Sequence, residues 1–272
     1  MQLKVITSAA NEHYKHWKKL NESARACRKA GATLAEGIHL AQVILEHGAP
    51  VRAVLIRENS ATAEALALAG EIVRSTGAAA YELGAALYDA VSPVERGVGI
   101  TLEVQIAAPE RPASPIACDA LYLDGVQDTG NAGTLIRTAV ASGVRAIAAS
   151  PSSACLWSPK VLRAGMGAHF GAVIYENVEP EDLRNLFAAR RLAADARGGM
   201  DLFRSCGWEA GCTVWMMGAE GPGLSDRALQ AADARYLIPI EEACESLNVG
   251  AAAAVCLFEQ RRRRLMAGQE RR

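Results

Sequence analysis

The chain has 272 residues, half of them hydrophobic, enough to bury one large core or two ordinary ones without staples. Its 29 basic and 30 acidic residues leave a net charge of −1, so any nucleic-acid binding must come from a local concentration of positive charge. No run reaches the roughly 18 apolar residues that span a bilayer, and no apolar signal core precedes the charges of MQLKVITSAANEHYKHWKK. The seven cysteines are scattered and never spaced as CxxC, which argues against a disulfide framework and a zinc site. The expectation is a soluble, unprocessed, cytoplasmic chain with reduced thiols and no metal.

Residues 1–29 hold Lys4, Lys15, Lys18, Lys19, Arg25, Arg28 and Lys29 against Glu12 and Glu22, an excess of five positive charges. Two readings are open for this stretch: a surface that holds nucleic acid, or an ordinary solvated helix face. Apolar spacing predicts helices over about 11–29, 36–47 and 61–75, and extended segments at 51–57 (VRAVLIR) and 97–104 (GVGITLEV), the pattern of a small α/β domain. The segment AAPERPASPIACD, residues 107–119, crowds Pro, Ala and polar residues without periodicity and reads as a linker. The predicted domains are therefore 1–106 and 120–272.

Beyond the linker the alternation is regular. Strand ALYLD is followed by a helix from Asn131, strand RAIAAS by a helix from Ser158, and strand GAVIYE by the helix PEDLRNLFAARR; then come strands RLAADA and CTVWMMG, helix SDRALQAA, strand ARYLIPI and a long final helix. Short apolar runs separated by helices predict a parallel sheet covered on both faces. In such sheets ligands gather where loops leave the carboxyl ends of strands. Three of these loops, DGVQDTGNAG, GAEGPGLS and EEACESLN, are rich in Gly, Asn, Ser and charge.

Familiar nucleotide motifs do not fit these loops. Gly125 to Gly130 has P-loop spacing, but Asn131 and Ala132 stand where Lys and Ser/Thr would reach phosphate and magnesium. Gly165-Met166-Gly167 begins a dinucleotide fingerprint, yet Phe170 takes the place of the third glycine. There is no HExxH or GxSxG, and His169, alone beside apolar residues, reads as a satisfied core histidine.

Read together, the loops match something else. The run from Asp124 through Asp128, Asn131, Gly133 and Arg137 to Ala139 resembles the first motif of the SpoU/TrmH-like branch of the SPOUT methyltransferases. GAEGPGLS (218–225) looks like its second motif and IPIEEACESLNVGAA (238–252) like its third, in order, across about 120–266. More loosely, residues 6–8 (ITS), Asn11, Lys15, Leu20 and Glu36-Gly37 resemble the ribosomal-protein-like α/β domain that binds RNA ahead of this catalytic domain. Departures are Thr129 in place of a common Pro, Glu95-Arg96 where Gln is common, and Gly250 for a frequent Ser.

The resemblance implies an S-adenosylmethionine-dependent RNA ribose-2′-O-methyltransferase. Its catalytic domain would be an α/β parallel sheet with a trefoil knot, and it would work as a homodimer. The expected partner is ribosomal RNA first and transfer RNA second, because a separate N-terminal RNA-binding domain is more typical of the ribosomal enzymes. Implied catalytic residues are Asn131, Arg137, Glu220, Ser246 and Asn248. Implied cofactor contacts are Met217, Gly218, Glu220, Gly221, Ile238, Ile240 and Leu247, and implied RNA contacts are Lys15, Lys18, Lys19 and Arg28.

Residue chemistry is compatible with these roles. Leu135, Ile136, Ala139 and Val140 form an apolar side of the first helix, leaving Arg137 with Thr134, Thr138 and Ala141 on another face. An arginine holds its proton above about pH 12, so Arg137 would either stabilise the developing alkoxide or work through the neighbouring RNA phosphate. Asn131, Ser246 and Asn248 also stand where helix N-caps are expected. Arg261 to Arg264 suit the end of the last helix as well as an RNA contact, and Trp17 and Trp157 read as packing residues ahead of base-stacking ones. Two other classes remain: a non-catalytic RNA-binding or ribosome-assembly protein, against which the five intact residues speak, and a nucleotide-dependent oxidoreductase, against which the failed glycine fingerprints speak.

Overall fold

A computed structural model describes all residues except 95, 96, 107, 242 and 270–272, so the Glu95-Arg96 departure lies outside the described residues. The chain divides into two compact units, Met1–Ala108 with Trp157–Phe170, and Pro109–Leu156 with Gly171–Arg272.

In the first unit, β1 (Leu3–Ile6), α1 (Glu12–Glu22), α2 (Ala24–Ala30), β2 (Ala32–Glu36), α3 (Ile38–Glu46), β3 (Val51–Arg57), α4 (Ala63–Thr76), β4 (Ala79–Leu83), α5 (Ala85–Val91) and β5 (Ile100–Gln105) follow in order. The sheet runs β1-β4-β3-β5-β2, with β5 antiparallel to β3 and β2. Successive residues of a strand point to opposite faces, so β3 sends Val54 and Ile56 into one core with Leu40, Ile44 and Ile72, and Ala53 and Leu55 into another with Trp17, Leu20 and Tyr88. The helix expected over 11–29 is two helices. Ser23 is extended (φ −140°, ψ 112°), closing α1, and its side chain caps α2 by accepting from Ala26 N. Asn11 caps α1, accepting from the backbone of His13 and Tyr14 at 2.9 and 3.3 Å.

The second unit carries β6 (Ala120–Asp124), α6 (Thr129–Ser142) and β7 (Ala146–Ala149). The chain then contributes α7 (Pro159–Ala164) to the first unit, where Leu162 joins the core. The helix expected from Ser158 is thus present, with Ser158 as its cap, but grouped with the first unit because its apolar side packs there. Back in the second unit follow β8 (Val173–Tyr175), α8 (Leu183–Leu186), β9 (Arg190–Ala194), β10 (Met200–Asp201), β11 (Thr213–Gly218), α9 (Asp226–Ala231), β12 (Ala234–Leu237) and α10 (Val249–Gln269). All seven strands are parallel, in the order β10-β12-β9-β11-β6-β7-β8. This is the expected α/β parallel sheet.

Two helices of the second unit also differ from expectation. Over 180–191 the chain forms a 3-10 turn and the short α8, then Phe187 turns extended and buries its ring, while the Ala188 amide donates to the Ile116 carbonyl. The last helix does not end at the arginine run but continues to Gln269. Instead, Arg261 donates to the Ser142 carbonyl at 3.0 Å and Arg263 to the carbonyls of Leu202 and Phe203 at 3.0 and 2.8 Å. Arg264 pairs with Asp119 and donates to the Glu209 carbonyl at 2.7 Å. Three of the four arginines therefore fasten α10 to the second unit. Beneath them Gln260, 4% exposed, accepts from Trp215 Nε1 at 2.6 Å and donates to Thr213 Oγ1 at 2.7 Å.

Candidate functional site

β6 and β11 are neighbours in register, Gly218 opposite Asp124, so the loops that follow them leave the sheet side by side. Asp124, 5% exposed, accepts from the Ser225 backbone at 2.7 Å and ties the two loops together. Gly218 has no room for a side chain, since a Cβ there would lie 2.2 Å from the Gly223 carbonyl carbon and the Leu224 nitrogen. The loop accordingly folds back over the end of β11, closed by two backbone hydrogen bonds of 3.1 and 3.0 Å between Ala219 and Gly223. Gly221 and Gly223 hold positive φ (84° and 71°), which makes that fold accessible to them.

β12 is separated from β6 by two strands, yet the chain returns within eleven residues to place Asn248 against α6. Asn248 Nδ2 donates to Glu220 Oε1 at 2.7 Å and to Asn131 Oδ1 at 3.0 Å, and Asn131 Nδ2 donates to the same Glu220 oxygen at 2.8 Å. One residue from each of the three motif loops thus meets in a closed triangle. Asn248 Oδ1 also caps α10, accepting from Gly250 N at 2.9 Å. Asn131 is not a cap: α6 begins at Thr129, and Asp128 caps it by accepting from Asn131 N at 2.7 Å.

A cavity of about 380 Å³, the size of small-molecule sites, opens on one side of the triangle. Met217, Gly218, Glu220, Gly221, Ile238, Ile240 and Leu247 all line it, together with Ser246 and Asn248. A second cavity of about 540 Å³ adjoins it, lined by Asp124, Gln127, Asp128, Asn131 and Ser152, and shares Glu220 and Pro222 with the first. Two of the five expected catalytic residues stand apart from the triangle. Ser246 lines the first cavity without a side-chain hydrogen bond among the described residues. Arg137 is exposed on α6, lines neither cavity, and has no hydrogen bond or ion pair among the described residues.

Of the basic residues in the first unit, Lys15, Lys18, Lys19 and Arg28 are all exposed, on α1 and α2. Lys15 pairs with Glu12 at 2.7 Å and Lys18 with Glu22 at 3.9 Å. Trp17 is buried with its Nε1 donating to Glu103 at 2.7 Å, and Trp157 packs on His169 and Phe170; both serve packing. Sequence reasoning missed the loop after β9. Asp195 and Arg197 in that loop line the first cavity, and the signal that marked them was the strand-end pattern ADARGG, charged and glycine-rich like the three loops it did find.

A parallel sheet with loops converging on two adjoining cavities at its carboxyl edge is a small-molecule-binding α/β architecture. Residues 120–258 match the SpoU rRNA Methylase family, and the chain belongs to that family. Among relatives, it is 29% identical over 261 residues to the 23S rRNA (guanosine(2553)-2′-O)-methyltransferase RlmP of Bacillus subtilis, covering 95% of this chain and all of the relative. It is 27% identical to the 23S rRNA (uridine(2479)-2′-O)-methyltransferase of Streptomyces viridochromogenes, covering 96% and 92%. Its fold is that of the AdoMet-bound rRNA methyltransferase from Sinorhizobium meliloti, with a TM-score of 0.82, 24% identity and coverage of 97% and 99%. The family read from the three motifs is thereby established.

Proposed function

We propose that the protein transfers a methyl group from S-adenosylmethionine to a ribose 2′-hydroxyl of ribosomal RNA. The observation that carries this reading is the Asn131–Glu220–Asn248 triangle, which stands where the two cavities of a SpoU-family domain meet. The first cavity fits the cofactor: Ile238, Ile240, Leu247 and Ala252 offer apolar walls for an adenine, and the loop at Gly218 leaves backbone groups rather than side chains at the strand end. The second cavity is the place for the target nucleotide. When bound, S-adenosylmethionine supplies a methyl group already activated on a sulfonium.

The chain's task is then alignment and management of the leaving proton. Both N–H bonds of the Asn248 amide are engaged inside the triangle and its oxygen caps α10, so Asn248 acts as a positioning residue. Among the described residues Asn131 keeps one N–H, and Glu220 keeps its second oxygen, for the ribose or the cofactor. Ser246 offers, on the cofactor side, a hydroxyl without a hydrogen-bond partner among the described residues. Arg137, exposed, unpartnered among the described residues and outside both cavities, is the cation for RNA phosphate. Lys15, Lys18, Lys19 and Arg28 hold RNA through an N-terminal domain, with residues 107–119 as linker.

The crossing from β12 back to α6 supports a trefoil knot, and exposed Phe258, Leu265 and Met266 on α10 support a homodimer. No described helix is long and apolar enough to cross a membrane; the similarity to a bacterial 23S rRNA methyltransferase supports a cytoplasmic enzyme. The test is to map 2′-O-methylation across total RNA with and without the gene. A single mark lost from ribosomal RNA is expected; a mark lost only from transfer RNA redirects the substrate, and an unchanged map refutes the proposal.

A further inference from the structure

The first cavity holds a charged device that the alignment of methyl and hydroxyl does not use. Arg197 is the only positively charged side chain lining it among the described residues. It does not wave freely. Its Nε donates to Asp195 Oδ1 at 3.0 Å, its backbone N to the same oxygen at 3.1 Å, and its Nη2 to the Leu224 carbonyl at 3.0 Å. Asp195 is itself fixed: its side chain is 3% exposed, and its second oxygen accepts from Arg235 at 2.5 Å. Burial alone would raise the Asp195 carboxyl, but the hydrogen bonds from Arg197 and Arg235 outweigh it and hold the group below the ordinary range, so it is ionised at neutral pH.

A guanidinium has five N–H donors. Two are engaged here, by Asp195 and Leu224, and the side chain is 50% exposed. Among the described residues, Arg197 therefore presents a pre-oriented cation with three unused donors to a cavity whose other lining charges, Asp195 and Glu220, are negative. A ligand group that completes this arrangement is a carboxylate, which matches the planar guanidinium fork.

We propose that Arg197 is the specificity residue for the amino-acid end of the cofactor, binding its carboxylate, with Asp195 as the positioning residue that aims it. This rests on the methyltransferase reading. An adenine slot alone would not separate S-adenosyl compounds from other adenosines; a fixed cation at the cavity wall does.

The test is isothermal titration calorimetry on the full chain with two ligands, S-adenosylhomocysteine and its decarboxylated analogue. Wild type is expected to bind the carboxylate-bearing ligand about tenfold or more tightly than the analogue, the range of one charge-assisted hydrogen-bonded contact. Arg197→Ala should remove that difference by weakening only S-adenosylhomocysteine, Asp195→Asn should narrow it, and Arg197→Lys should keep part of it. Equal affinity of wild type for the two ligands overturns the inference without need of any variant, while leaving the methyltransferase reading in place. Binding of neither ligand overturns both. If Arg197→Ala keeps its affinity for S-adenosylhomocysteine and loses RNA instead, the cation belongs to a phosphate and the inference is wrong.

Discussion

Asn248 makes two kinds of contact through opposite ends of one amide, and substitution can separate them. Its oxygen caps α10, and its nitrogen holds Glu220 and Asn131 at 2.7 and 3.0 Å. Asn248→Ala removes both: losing the cap costs about 1 kcal/mol, and losing two exposed hydrogen bonds about 1 kcal/mol more. For a chain of this size about 2 kcal/mol lowers the melting temperature by about 4–8 °C. Asn248→Ser keeps a cap acceptor of equal quality but cannot span both partners, so its melting temperature should fall by only about 2–4 °C. Methyl transfer should nevertheless fall alike in the two variants, by about 100-fold, because Asn131 and Glu220 are no longer held in one geometry. The assays are thermal melts and transfer of labelled methyl to ribosomal RNA lacking the mark. A Ser variant with wild-type turnover would show that the triangle does not set the reacting geometry.

Gly218→Ala should cost about 1–3 kcal/mol and weaken S-adenosylhomocysteine binding, since its methyl meets the backbone of Gly223 and Leu224; calorimetry showing wild-type affinity would contradict the fold-back of that loop. Gln260→Leu leaves the Trp215 indole N–H without its buried acceptor and should lower unfolding free energy by about 2–3 kcal/mol in urea titrations. Glu259 accepts from Arg262 and Arg263, and chiefly through the Arg262 hydrogen bond its folded pKa drops from 4.5 to about 2. A depressed carboxylate pKa gives stability that is present above pH 4.5 and lost as pH falls toward 2. Wild type should exceed Glu259→Gln by about 1–2 kcal/mol at pH 6, allowing for the exposed Arg262, and the gap should close on acidification; a gap independent of pH would reject the assignment. Neutralising Lys15, Lys18 and Lys19 should weaken RNA binding and flatten its salt dependence with cofactor affinity intact, and a matching loss of cofactor affinity would contradict the division of roles.

How much of this was legible in the sequence depended on the length scale of the cause. Buried parallel strands such as ALYLD and CTVWMMG are continuous apolar runs, and they appear within a residue or so of where they were expected. LKVI, ATLAE and AAYEL are short and mixed, and become β1, β2 and β4 only because neighbouring strands complete their hydrogen bonding. A long helical period also hid the break at Ser23, where a local side-chain cap overrides the pattern.

The site shows the same divide more sharply. Residue types at Asn131, Glu220 and Asn248 were readable from three short motifs, but which of their donors remain available was not, because each bond in the triangle joins positions 28 or more residues apart. That difference changes the roles. Asn248, with both amide hydrogens engaged and its oxygen on a helix end, is occupied in holding other groups, whereas Asn131 has one amide N–H and Glu220 one oxygen without a bond among the described residues. Arg197 makes the converse case. In sequence it is one arginine among many, and it becomes a directed cation only when Asp195 and the Leu224 carbonyl close around it. Chemistry at this sheet edge is therefore set less by which polar residues the loops carry than by which of their hydrogen bonds the fold has already taken.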